Sequence, residues 1–392
     1  MPLTLLDPET EFTSAPLPGA ALHELLAAAR RQPGLASVRL LGQPALLVTR
    51  FQELKDFMAD ELAFPGGAVY QYQVEPAVGR TFISMDGDEH LQTRQLAMPA
   101  FRSGPVSRFI DDQLVPLAHE VLDRFAAKGE GDLVAELTAV LPFWAISRKL
   151  GLPVGSEERQ RAVTRALLAH LADPEGARRA ADTVDAIVRP VMEQCRHTPQ
   201  DDVLSHLMAA EHQGLRLDDE GVLSHVRLLY AVGATTTSDA MSNLFRLLLE
   251  RPELLARARH EPDLRPRLVG EALRFEPPVA VLPRLAPHGG RIGDTEVAPG
   301  SLLLAALAGG NRDPEVFADP DRFDPDRSER ELLSFGFGPK FCPGWNLARS
   351  QLLAALEVVL ERLPGLRLVG GPPPQGAILR AVPELHVAWD VG

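Results

Sequence analysis

Residues 335–344 read FGFGPKFCPG, and Trp345 leads from them into NLARSQLLAALEVVLERL, an apolar pattern of helical period. One of only two cysteines, Cys342, stands near the end of the first stretch. Gly336, Gly338 and Gly344 reach backbone angles closed to other residues, while Pro339 and Pro343 stiffen the turns between them. The composition therefore predicts a tight, pre-shaped loop that holds one side chain at a fixed point. A helix starting within three residues of the sulfur favours a thiolate by roughly 0.3–1 kcal/mol through its dipole. That is too little to ionise a thiol outright, whereas a metal bound to the sulfur would do so. A Cys-Pro pair alone would be equally at home as a buried structural cysteine beside a helix cap.

The stretch resembles the proximal loop of the cytochrome P450 family, Phe-Gly-x-Gly-x-(His or Arg)-x-Cys-x-Gly. Phe335, Gly336, Gly338, Cys342 and Gly344 match it, and Lys340 stands where the family usually carries His or Arg. The resemblance implies that Cys342 is the axial thiolate of a haem b iron, with Phe335 packed against the sulfur and Gly336 and Gly344 shaping the loop around the cofactor. It also implies a mainly α fold with small β-sheets (α+β), haem lying between a long central helix and the Cys loop with the last long helix.

The chain has 392 residues, of which 45% are apolar, enough for a sizeable core. No Ser/Gly linker, repeat or low-complexity tract divides it, so residues 1–392 read as one domain. A net charge of -13 argues against nucleic acid, which calls for a basic face. Two cysteines give no disulfide framework, and Cys195 reads as a bystander. The N-terminal MPLTLLDPETEFTSAPLPG lacks a basic start and a long apolar run. Neither signal peptide nor membrane anchor is expected, and a cytoplasmic protein of bacterial type is.

Ala20 to Arg30 has the pattern of an amphipathic helix, and β-type runs at 36–41 and 45–50 flank Gly42 as a hairpin. A short helix follows at 51–60. Residues 64–82 are broken by Gly and Pro and read as a long loop, which in the resembled family covers the substrate. In 85–101, His90 and Arg94 are spaced i and i+4 and share a helix face. On their own they would read as a solvated polar face; the resemblance gives them the haem propionates. From 106 to 212 the pattern is helical, with breaks at 128–132, 151–155 and 172–176. The two segments flanking the last break fall where the family carries a mobile roof. His197, His206 and His212 are too scattered for a zinc site.

Residues 217–250 are the longest helical pattern and are apolar nearly all round at the centre, as in a buried helix. That centre reads AVGATTTS, where Gly233 and Thr235, Thr236 and Thr237 weaken the helix by roughly 2–3 kcal/mol. Threonine hydroxyls can bond back to the carbonyl one turn earlier, bending the helix. The stretch resembles the family's oxygen-binding helix, (Ala/Gly)-Gly-x-(Asp/Glu)-Thr-Thr. Gly233 matches the groove for dioxygen, Thr236 the alcohol, Thr235 replaces the acid, and Val232 occupies the first small position. Protons then have to come through Thr236 and water, through Asp239 one turn on, or from the substrate. Simple packing between helices would account for the threonines equally well.

Glu271 and Arg274 share a face at i and i+3, ordinarily a surface pair worth under about 1 kcal/mol. Followed by Pro277-Pro278, they match the family's Glu-x-x-Arg pair, and Arg322 in PDRF completes the implied buried triad. Val279, Ala280 and Val281 would then face the substrate, Arg284 would reach a propionate, and Ile378 and Leu379 would form the tip of a hairpin at 377–389 that also reaches the pocket.

The resemblance implies a monooxygenase that inserts one oxygen atom of O2 into an apolar small-molecule substrate by hydroxylation or epoxidation. Electrons would come from a separate ferredoxin and its NAD(P)H-dependent reductase, docking near Lys340, Arg349 and Arg102, and the protein would be a monomer. The absent acid leaves a peroxide-driven peroxygenase open, and a haem-binding sensor without turnover is the reading from another class.

Overall fold

A computed structural model describes Asp7 and residues 9–12, 16–328 and 331–391. The expectation of a chain without signal peptide or anchor falls in part on residues 1–6, 8 and 13–15, outside the described residues. Among the described residues no helix is long and apolar enough to cross a membrane.

The central helix is Asp219–Leu249, about 46 Å long at 1.5 Å per residue. The Asp218 carboxylate accepts from the Gly221 N–H at 2.7 Å, and Asp219 and Glu220 complement the dipole in the first turn. Most of its side chains are buried because helices pack along its length: Leu141–Leu150, Glu157–Leu168, Pro174–His197, Arg265–Phe275 and Trp345–Arg362. Asp173 caps Pro174–His197, with Pro174 at its first position, where a proline's missing N–H is not needed.

Beside this helical body lies a four-stranded sheet of β1 (Ala36–Leu40), β2 (Gln43–Val48), β7 (Ser301–Ala305) and β4 (Leu282–Ala286), in that order; only β2 and β7 are parallel. Leu41 and Gly42 both have positive φ, which gives the tight two-residue turn between β1 and β2. The first helix, Ala20–Arg30, covers this sheet through Leu22 and Leu26. β5 (Gly290–Ile292) and β6 (Thr295–Val297) form a hairpin, and β3 (Glu130–Asp132), β9 (His386–Ala388) and β8 (Arg367–Gly370) a second small sheet. The α+β expectation holds, with the first hairpin and the Phe51–Ala59 helix in place.

Three local expectations change. Residues 64–82 are not one loop but carry two short helices, Ala68–Gln73 and Glu75–Val78. The break at 128–132 contains β3, which needs β9 from the far end of the chain to pair. Residues 377–389 do not form a hairpin of their own: the tight pairing is Gln375 with Ala381, and β9 joins β3 and β8.

Candidate functional site

The central helix and the Cys342 loop enclose a cavity of about 260 Å³. In the loop the Cys342 N–H donates to the Phe335 carbonyl at 2.9 Å, and Gly336 and Gly338 adopt the positive φ expected of them. At Gly338 a Cβ would lie 2.8 Å from the Met58 carbonyl oxygen, so the loop can follow this path only with glycine there. Burial pushes the Cys342 thiol up, and the Gly344 N–H and the Arg94 charge only partly offset it. Ionisation therefore calls for a stronger cation at the sulfur.

One rim of the cavity is cationic. His90 and Arg94 project from the helix Gly87–Ala97, Arg284 from β4, and Lys340 from the Cys loop. Both His90 ring nitrogens are buried without a partner. Burial, then the charges of Lys340 and Arg94, lower its pKa to about 4, so the ring is neutral. Arg94 donates from Nη2 to the Phe341 carbonyl at 2.5 Å and Arg284 from Nη1 to the Pro283 carbonyl at 3.1 Å. Among the described residues neither guanidinium has a carboxylate partner. Lys340 Nζ donates to the carbonyls of Met85 and Phe82 and lies 3.5 Å from Asp86 Oδ1. Burial lowers its pKa to about 8. Gly66 leaves room for this path, since a Cβ there would meet Lys340 Cγ at 2.6 Å. Unpaired buried cations are costly, so a rim with this surplus fits a group bearing carboxylates. Lys340, expected on an exposed docking face, is instead turned inward, whereas Arg102 and Arg349 are exposed.

The opposite chemistry prevails on the central helix. Thr235, Thr236 and Thr237 donate to the carbonyls of Ala231, Val232 and Gly233 at 3.2, 3.1 and 3.3 Å, while the segment stays helical. Thr236 and Thr237 line the cavity, as do Val232 and Gly233; Thr235 and Asp239 do not. A Cβ on Gly233 would point at Ile146, 2.6 Å from its Cδ1, so the missing side chain admits a neighbouring helix. The Asp239 carboxyl has no hydrogen-bond partner among the described residues. Burial raises its pKa to about 7, slightly offset by Arg165. Among the described residues no Asp or Glu lines the cavity.

The remaining wall is apolar: Phe82, Ile83, Ile146, Leu228, Leu229, Val279 and Leu282, with Tyr70. Of the residues expected at the substrate, Val232 and Val279 are there. Ala280 and Val281 are fully buried in the sheet-side core, in an irregular stretch that ends where β4 begins at Leu282, so no strand alternation governs which way they turn. The Ala280 N–H donates to the Ile378 carbonyl at 2.9 Å, Ile378 packs on that same core, and Leu379 is 43% exposed; neither tip residue reaches the cavity.

Beneath the Cys loop, Glu271 and Arg274 form a buried two-point pair at 2.8 and 2.7 Å. Arg274 also donates to the carbonyls of Asn311, Pro320 and Arg322, and Glu271 accepts from the Asp324 N–H at 2.8 Å. Arg322 is not the third charge: its side chain is exposed, and among the described residues its one ion pair is a 3.9 Å approach to Asp324. Its backbone carbonyl serves the network, and the second guanidinium near Glu271 is that of Arg327, at 3.8 Å. The sequence reading also missed Phe82, Ile146 and Gln351 of the lining, and Arg227, whose charge within an apolar helical run was the available signal.

The sequence profile of the cytochrome P450 family matches residues 173–364. Nocardicin C N-oxygenase of Nocardia uniformis subsp. tsuyamanensis is 34% identical over 388 residues, covering 94% of this chain and 96% of that one. The mycinamicin IV hydroxylase/epoxidase of Micromonospora griseorubida is 32% identical, covering 89% and 90%. The chain belongs to the cytochrome P450 family. The structure of the P450 CYP109Q5 from Chondromyces apiculatus superposes with a TM-score of 0.84 at 29% identity, covering 94% of this chain and 95% of that one. As a P450 it is a haem b monooxygenase using O2, an organic substrate and electrons from redox partners, which decides against a sensor without turnover. The cationic rim, the orphaned His90 and the cavity-facing Cys342 are a donor set that fits haem. Haem supplies the activation of oxygen; this P450's own residues supply position, charge and an apolar wall.

Proposed function

We propose that Cys342 is the axial thiolate, that Arg94, Arg284, Lys340 and His90 hold the propionate edge, and that the substrate is an uncharged, apolar small molecule hydroxylated or epoxidised against Phe82, Leu229, Val232 and Val279. The observation that carries this is a cavity combining a lone cysteine, a rim on which, among the described residues, Arg94 and Arg284 have no carboxylate partner and His90 no hydrogen-bond partner, and an otherwise apolar wall. Within it, the hydroxyls of Thr236 and Thr237 are the groups placed to pass protons. Glu271 and Arg274 hold the segment that carries the Cys loop.

Electrons reach this P450 from a ferredoxin and its NAD(P)H-dependent reductase, docking on the face that carries the exposed Arg102 and Arg349. The chain works as a single domain, 1–392, which a structural match covering 94% of it supports, and we read it as a cytoplasmic monomer. The test is the absorption spectrum of the dithionite-reduced protein under carbon monoxide, beside Cys342→Ala. A strongly red-shifted Soret band that the variant loses is the expected result. A histidine-like band that survives the substitution would overturn the ligand assignment.

The absence of a carboxyl group from the cavity lining favours a second reading, in which peroxide serves as oxidant. Product formed one for one with NAD(P)H consumed would exclude it.

A further inference from the structure

His225 is buried, 1% exposed, in the first half of the central helix. It shares one helix face with Leu229, Val232 and Thr236, yet those three line the cavity and His225 does not. The ring of Phe82, itself part of the cavity wall, lies against the imidazole with centroids 5.5 Å apart. Two backbone groups fix the state of that imidazole. Nδ1 lies 2.7 Å from the Gly221 carbonyl, which can only accept, so Nδ1 carries the hydrogen. Burial holds the His225 pKa below its ordinary value, the Gly221 bond offsetting this only in part, so the ring is neutral. A neutral ring keeps a lone pair on Nε2, and the Phe82 N–H donates to it at 3.4 Å. On the other side of the same residue, the Phe82 carbonyl accepts from Lys340 Nζ at 3.3 Å. The two peptide groups that flank the Phe82 Cα are thus held, one by the central helix and one by the Cys loop. Gly79 (φ 95°) lets the chain run this close to the helix, since a Cβ there would collide with Ser224 Oγ, beside His225. Further ties, from Val78 to Arg227 and from Arg80 to Glu89, grip residues that do not line the cavity.

We propose that His225 is a positioning residue: its Nε2 acceptor aims the Phe82 ring at the cavity and so decides which ring or chain of a substrate seats against that wall. A phenylalanine side chain has two torsions, and with its backbone pinned on both sides the ring is ordered before any ligand arrives. Without the acceptor, each ligand that touches Phe82 has to order it on binding, which weakens those ligands and spares the ones that do not reach it.

The inference rests on this cavity being the substrate cavity, and the test pairs two variants of like polarity and different reach. In the holoenzyme, His225→Gln puts a side-chain oxygen where Nε2 stands, whereas His225→Asn ends at the Nδ1 position and keeps only the Gly221 bond. His225→Asn is expected to weaken binding of 4-phenylimidazole, read from the Soret shift, by about three- to tenfold. Imidazole, which binds iron without reaching the wall, should change by less than about twofold. His225→Gln should stay near the wild type for both ligands. Amide exchange at Phe82 should rise by about tenfold in His225→Asn and hold in His225→Gln. In a Phe82→Ala background, His225→Asn should no longer weaken 4-phenylimidazole, because the ring that His225 positions is gone. Equal effects of the two His225 variants, an equal loss for imidazole, or an undiminished loss in Phe82→Ala would overturn the inference. A long-range proton–nitrogen NMR spectrum of the wild-type ferrous carbon monoxide complex that places the His225 proton on Nε2 would overturn it as well. A carbon monoxide complex without the red-shifted Soret band, beside an intact exchange difference at Phe82, would sink the functional reading alone.

Discussion

Asp239 has the least compensated carboxyl on the central helix, and its burial has a pH signature. Its folded pKa, about 7, lies above the model-compound value of 3.8. The native state therefore holds the proton more tightly than the unfolded one, and this stabilisation is complete below about pH 4 and lost as pH rises through 7. Asp239→Asn should match the wild type near pH 3.5 and exceed it at pH 8 by roughly 1–3 kcal/mol, a range lowered for the part of the side chain that water reaches. Urea titrations at the two pH values check this; equal gains at both would refute it. Such a residue was visible in the sequence as an acid, but its position outside the cavity was not. The Glu271–Arg274 pair was legible because its two members stand three residues apart, and Cys342 because glycines and prolines crowd its own loop; the carbonyls of Asn311, Pro320 and Arg322 that Arg274 also binds lie too far along the chain to be read. Arg322 misled because its contribution comes from its carbonyl, which any residue could supply, while the side chain points to solvent. Lys340 was misread because its four-carbon stem can turn inward as readily as outward, and nothing local decides which.

Helix contacts explain what the threonine-rich centre of the longest helix is for. Gly233 lets the helix Leu141–Leu150 approach so closely that Ile146 occupies the space of the missing Cβ. Gly233→Ala gains about 1 kcal/mol of helix propensity but meets an overpacking penalty of about 1–3 kcal/mol. The single variant should therefore melt slightly lower than the wild type, and adding Ile146→Val should restore part of the loss. A double-mutant cycle on thermal unfolding measures this, and additivity would show that the two side chains do not compete. The helix itself was readable from its all-round apolarity, and so was the β1/β2 hairpin from Gly42. The short helices at 68–73 and 75–78 were hidden, being too brief to show a period. Which of residues 279–281 faces the cavity was hidden as well, because the stretch is irregular and lacks the two-residue period that would sort its faces.

Across the molecule one buried acid ties distant parts of the chain together. Glu276, at the end of the helix Arg265–Phe275, accepts from His23 in the first helix at 3.1 Å and from Arg380 near the C-terminus, with Arg312 3.7 Å away. Burial alone would raise its pKa, but His23, Arg380 and Arg312 outweigh it and hold the value at about 2. Burial keeps His23 itself low, so it serves as a neutral donor. The stabilisation from Glu276 is present above about pH 4.5 and fades only as pH falls toward 2. Glu276→Gln leaves the Arg380 guanidinium buried without its anion, while Arg312 keeps Asp321 at 2.9 Å, and should cost about 3–5 kcal/mol at pH 7, read from the urea midpoint. A cost under about 1 kcal/mol would mean that the arginines find other acceptors. None of this was legible, since no local pattern links residues 23, 276, 312 and 380. It also bears on how the protein is made. Arg380 follows Glu276 by 104 residues, and until it is made the nascent chain holds this acid short of one of its donors. A message cut just before codon 380 would still encode Thr236, Glu271 and Cys342, yet its product would lack the arginine that binds the Leu17 and Gly19 carbonyls and Glu276 together.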